Sequence, residues 1–191
     1  MTFHDGQTEI GSAAVTAGKA TAKVRLGAGA HSLSATFTPD SGLYAPSTSA
    51  VVPVDVKKSG STTALTLSKN SAPFGTVTTA TVVVTGASTA PTGTVEIKEK
   101  GKVLGTGELV VNGLKGTATI ALPADLAAGT HQLTAVYAGS ADVTGSQTQR
   151  SYRVTHATTR ATLSADSWTV AKVRRRRSPS RSRVLRCRPV R

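Results

Sequence analysis

The 191-residue chain holds a single cysteine, Cys187. No disulfide can form within it, and no zinc site can be built from cysteines. Acids are scarce: ten Asp and Glu stand against 23 Lys and Arg, for a formal net charge of +13. The excess is local. Nine arginines lie between Arg174 and Arg191 with no acid among them, and subtracting those nine from +13 leaves +4 for the rest. The attraction to phosphates therefore belongs to a tail. Aromatics are 4% of the chain and do not interleave with those arginines, which excludes a stacking platform for single-stranded nucleic acid. No apolar run approaches the ~18–20 residues a membrane-crossing helix needs. The start, MTFHDGQTEI, lacks the basic and apolar segments of a signal peptide.

What the chain does have is internal repetition. GAHSLSATFTPDSGL from Gly29 returns as GTHQLTAVYAGSADV from Gly129, with His31, Leu33, Ala35 and Phe37 answering His131, Leu133, Ala135 and Tyr137. MTFHDGQTEIG resembles PTGTVEIKEKGKVLG from Pro91, and STTALTLSKNS from Ser61 resembles ATTRATLSADS from Ala157. A period of roughly a hundred residues marks an array of whole domains; solenoid repeats run about 20–50. Such arrays make stalks and binding strings far more often than enzymes.

Within the repeat the apolar residues alternate with period two, as half-buried strands require. In TATIAL, Ala118, Ile120 and Leu122 share one face. In ATAKVRL, Ala20, Ala22, Val24 and Leu26 are expected to face inward and Thr21, Lys23 and Arg25 outward. The second repeat supplies strands beginning near Thr62, Val77, Thr94, Lys102, Gly116, His131 and Gln149, separated by turn residues. Short strands with a turn every 8–12 residues predict an all-β fold of tandem immunoglobulin-like antiparallel β-sandwiches. The expected core is Leu65, Leu67, Ala80, Val82, Val84, Val95, Ile97, Leu104, Ile120, Leu122, Leu133, Ala135, Tyr137 and Val154.

The order PTGTVEI, VLGTGEL, GTATIAL, LAAGTHQLTAVYAGSADV, SQTQRSYRV resembles the bacterial immunoglobulin-like repeats of cell-surface and secreted proteins, over nearly all of residues 1–172. The polar loops Ser140-Ala141-Asp142 and Pro39-Asp40-Ser41 stand where that family has a plain Gly-Asp. The resemblance implies a non-catalytic spacer or adhesion module, extracellular or on the cell surface. Its partners would be neighbouring Ig-like repeats and a cell-surface or carbohydrate ligand. No specific nucleic acid and no membrane insertion are expected.

The domain plan reads as follows. Residues 1–56 form a partial repeat lacking its first two strands. Residues 57–60 are a linker, 61–155 a complete repeat, 156–172 the opening of a third, and 173–191 a disordered Arg-rich tail. Met1 stands in register with Val95, as a start codon inside a longer array would place it. Shifting the tail's codons by one frame converts RSPSRSR into alternating apolar and small residues, like the strand TTATVVVTG. The tail therefore reads as out-of-frame coding sequence, and the chain as a fragment. If the tail is in frame, it makes the chain a nucleic-acid-binding protein. A third reading is a carbohydrate-binding accessory module.

Candidate chemistry is thin. His31 and His131 recur at one place but lack a second ligand at metal spacing. His4-Asp5 has no nucleophile beside it. Asp40 and Asp142 each offer one acid where calcium wants several oxygens, so loop hydrogen bonding is expected. Gly105-Thr106-Gly107 and Asn112-Gly113 read as hairpin turns. The inward parity of Phe37 and Tyr137 argues for core packing over a sugar platform. Trp168 has no obvious core role. No residue is assigned a catalytic, cofactor-binding or metal-binding role, and no cofactor is expected.

Overall fold

The computed structural model describes residues 1–164. Met1–Thr158 form one compact unit, and the chain from Thr159 belongs to a second. Trp168 and the Arg-rich tail, residues 173–191, lie outside the described residues.

The described residues form strands and no helix. β1 (Thr2–Asp5), β2 (Thr8–Ser12), β3 (Gly29–Phe37), β4 (Ser47–Thr48) and β5 (Val52–Val56) make one sheet. Its path runs β2-β1-β3, and both β4 and β5 pair with β3. The strands that follow are β6 (Ser61–Leu67), β7 (Ser71–Pro73), β8 (Thr79–Gly86), β9 (Thr94–Glu99), β10 (Lys102–Glu108), β11 (Val110–Asn112), β12 (Lys115–Ala121), β13 (Gly129–Gly139) and β14 (Thr144–Thr155). They form two sheets, ordered β10-β9-β13-β14-β7 and β11-β12-β8-β6. Pairing is antiparallel except between β7 and β14, which run parallel. The short strands β7 and β11 were not anticipated, because three residues are too few to show a period.

The two inner faces of the sandwich carry the core. Along β8, Ala80, Val82 and Val84 are buried while Thr79, Thr81, Val83 and Thr85 are half-buried. β13 repeats the pattern with His131, Leu133, Ala135 and Tyr137. Every expected core residue is buried except Leu104, which packs partly covered against the cluster. Ala72, Leu109, Ala118, Val143 and Tyr152 complete it.

The N-terminal sheet repeats half of this plan. β1 meets β3 with Phe3 opposite Ala35, as β9 meets β13 with Ile97 opposite Ala135. β5 meets β3 with Val54 opposite His31, as β14 meets β13 with Tyr152 opposite His131. Among the described residues no second sheet covers it, and no residue from 1 to 58 is fully buried. Fully burying one Val, Leu, Ile or Phe stabilises by roughly 1.5–3 kcal/mol, and the N-terminal sheet obtains that full gain nowhere. The expected strand at ATAKVRL does not form either. Its counterpart β12 lies between β8 and β11. The N-terminal sheet has no equivalent of β8, so residues 20–26 have no ladder to join. Ala20, Ala22 and Leu26 remain half-buried, while Val24 is 40% exposed.

Candidate functional site

The candidate geometry is two histidine clasps and the joint between the N-terminal sheet and the sandwich. His31, near the start of β3, places Nδ1 2.6 Å from Asp5 Oδ2 on β1 and Nε2 2.9 Å from the Gly27 carbonyl oxygen. Asp5 Oδ1 accepts the Ser32 backbone N–H at 2.9 Å. His131 repeats the arrangement on β13, with Nδ1 2.8 Å from Glu99 Oε1 and Nε2 2.8 Å from the Ala127 carbonyl oxygen. In each clasp both ring nitrogens face acceptors. A neutral imidazole has one N–H, so only the doubly protonated ring donates to both at once.

The His31 clasp is electrostatically self-consistent. The hydrogen bond to Asp5 holds His31 above its ordinary value of 6.5, and the Gly27 carbonyl adds to this against a smaller desolvation effect. The hydrogen bond from His31, then that from Ser32, holds Asp5 below its ordinary 3.8.

Adjacent residues on a strand point to opposite faces, so Asp5 serves His31 and not His4. The signal for this was available: Asp5 and Glu99 occupy equivalent positions, as do His31 and His131, so an acid and a histidine recur together.

The joint begins where the His31 clasp ends. The Gly27 carbonyl and the Ala28 N–H belong to one peptide group. The carbonyl accepts from His31, and the N–H donates to Asp142 Oδ1 across the joint at 2.6 Å. A Cβ on Gly27 would sit 3.2 Å from that carboxylate oxygen, so glycine permits the approach. The connecting segment is docked as well. Ser59 N–H donates to the Asp142 carbonyl at 2.8 Å, Thr144 N–H donates to the Ser59 carbonyl at 2.8 Å, and Ser88 N–H donates to Ser59 Oγ at 3.0 Å. Lys58 Nζ reaches the Ser140 carbonyl at 2.9 Å. The Asp142 loop can turn this tightly because Gly139 takes φ +97°, where a Cβ would lie 2.7 Å from the Val143 carbonyl oxygen. A cleft of about 430 Å³ opens beside the joint, lined by Arg25, Lys57, Ser59, Ser88 and Asp142 among others.

A family model described as Bacterial Ig-like domain (group 3) matches residues 1–57 and 65–155. The chain belongs to this bacterial Ig-like family. No curated protein matches it. Among solved structures it is similar to the fibronectin(III)-like modules of Clostridium thermocellum CbhA. The identity is 21%, the match covers 81% of this chain and 76% of that one, and the TM-score is 0.39.

The remaining candidates of this Ig-like chain fall into place individually. Tyr137 is buried in the core, and its hydroxyl donates to the Thr92 carbonyl at 3.0 Å. Phe37 is half-buried on the uncovered sheet. Asn112 ends β11 and pairs with Lys115, so the turn falls one residue later than expected, on Gly113 at φ +58° and Leu114. Gly105-Thr106-Gly107 is not a turn but lies inside β10. There a Cβ on Gly105 or Gly107 would come within 2.6 or 2.8 Å of the Ile120 side chain, so the glycines answer sheet-to-sheet packing. The hairpin turn lies earlier, at Lys100 and Gly101, both with positive φ. Asp40 is exposed. No group of three or more His, Cys, Asp or Glu able to hold a metal exists among the described residues. No helix there is long and apolar enough to cross a membrane.

Proposed function

We propose that this chain is a non-catalytic structural or adhesive module of a bacterial surface or secreted protein, with tandem Ig-like repeats acting as a spacer. The observation that carries the reading is the docked joint. Lys58 and Ser59 are held to the Asp142 loop by hydrogen bonds, and β6 starts two residues later. Tension on the chain is thereby passed from one sheet into the next with little slack. The parallel pair β7–β14 supports the same reading, with Phe74 N–H donating to the Thr155 carbonyl at 2.8 Å and Arg153 N–H to the Asn70 carbonyl at 3.1 Å. Pulling apart parallel strands near the two ends of a domain loads their bonds together, in shear.

Single-molecule force spectroscopy on the chain, held at its two ends, tests the proposal. The expected record has one discrete event for residues 61–155, with a contour-length gain on the order of 300 Å at about 3.6 Å per residue. Featureless extension would rule out a load-bearing spacer.

A further inference from the structure

We propose that the Gly27–Ala28 peptide, held between the His31 imidazolium on one side and the Asp142 carboxylate on the other, is a pH-gated latch that fixes the N-terminal sheet against the sandwich. The latch is closed when His31 carries both protons and open when it carries one.

The geometry gives the reason. A peptide group is a rigid plane with its carbonyl and N–H pointing in opposite directions. Here the carbonyl of Gly27 receives a proton donor from a cation, and the N–H of Ala28 faces an anion at 2.6 Å. Each contact polarises the same group in the sense that strengthens the other. Losing one proton from His31 leaves a nitrogen lone pair facing an oxygen. If Nε2 loses it, the Gly27 carbonyl is released directly. If Nδ1 loses it, the ring is freed from Asp5 and no longer held in place on the carbonyl. Both routes relax the peptide and weaken its grip on Asp142.

Two carboxylates act on the ring in the same direction. On β1, Asp5 bonds the ring. On β5, Asp55 favours the protonated ring through space and is itself paired with Lys57. Arg25, Lys57 and Asp142 line the cleft together with Gly27 and Ala28. The ring is held above its ordinary value. The latch is therefore closed below about pH 6.5 and opens as the pH rises through the raised value. His131 clasps the Ala127 carbonyl in the same way, and Ala127 and Ala128 are exposed at the opposite end of β13 from Asp142. A repeat of this kind thus carries the clasped peptide at one end and the receiving carboxylate at the other.

The test is an NMR titration of the full 191-residue chain, with residual dipolar couplings at the two extremes of pH. The Ala28 amide proton is expected far downfield at low pH, moving upfield with the same midpoint as the His31 ring protons. The alignment tensors of residues 1–56 and 61–155 should agree below that midpoint and diverge above it. In Asp142→Asn, His31 still titrates but the Ala28 shift no longer follows it. In His31→Gln, the Ala28 shift is flat. The proposal is overturned if Ala28 stays put while His31 titrates in the unaltered chain, or if the tensors diverge equally in His31→Gln. Should His31→Gln fail to fold, the Asp142→Asn titration decides alone.

Discussion

Single side chains in this protein close polar accounts that burial opens. Tyr152 and Thr78 are both buried, and their hydroxyls lie 2.8 Å apart. Tyr152→Phe strands the Thr78 hydroxyl, which should cost about 1–3 kcal/mol in urea denaturation. Adding Thr78→Val should recover part of that loss, since no polar group is then left unpaired. Additive costs in the double variant would show that the bond contributes nothing. The His31–Asp5 pair makes a prediction in pH. His31 is held above its ordinary value, so its contribution is full below about 6.5 and fades as the pH rises through the raised value. Asp5 is held below its ordinary value, so its contribution is full above about 3.8 and fades as the pH falls through the lowered value. The pair is thus intact between those limits. Asp5→Asn should return the His31 midpoint, followed by NMR, towards 6.5. An unchanged midpoint would mean that the Asp5 bond does not set it. Of this chemistry the joint recurrence of Asp5 with His31 and of Glu99 with His131 was legible in the sequence. That each acid bonds its histidine was not, because the partners lie on another strand, 26 and 32 residues away.

At the scale of elements, period-two patterning revealed the longer strands and nearly the whole sandwich core, because those strands are half-buried and long enough to alternate. The same pattern misled at residues 20–26. The alternation there is as good as in β12, but a strand exists only where a neighbour accepts its hydrogen bonds, and β8 has no counterpart beside it. The glycines of β10 were misread for a related reason. Glycine marks turns and also close approach, and only the opposite sheet distinguishes the two. Gly107→Val should drive a side chain into Ile120 and Ala118, whose nearest atoms would lie 2.8 and 3.1 Å from its Cβ alone. A loss of about 1–3 kcal/mol is expected from overpacking. Thermal melting of the variant checks this, and an unchanged midpoint would show that β10 can shift outward freely.

On the scale of the whole molecule, two halves built on one plan differ in what covers them. The sandwich, residues 61–155, encloses Val82, Val84, Val95, Ile97, Leu133 and Tyr137 at 0–1% exposure. The N-terminal sheet, residues 1–56, keeps the same register with no second layer, and Leu43, Tyr44, Val51 and Val52 stand more than half exposed. Its order therefore leans on the joint, on Ala28 to Asp142 above all. Opening free energies should differ accordingly, since local stability follows buried apolar contact. Hydrogen exchange on the native chain, read segment by segment by mass spectrometry, tests this most directly. The account predicts slow exchange in β8, β12 and β13 at the level of global unfolding, faster exchange in β1 and β3, and a further acceleration confined to residues 1–56 in Asp142→Ala. Equal protection of both halves, or an Asp142→Ala effect spread evenly over residues 1–155, would contradict it.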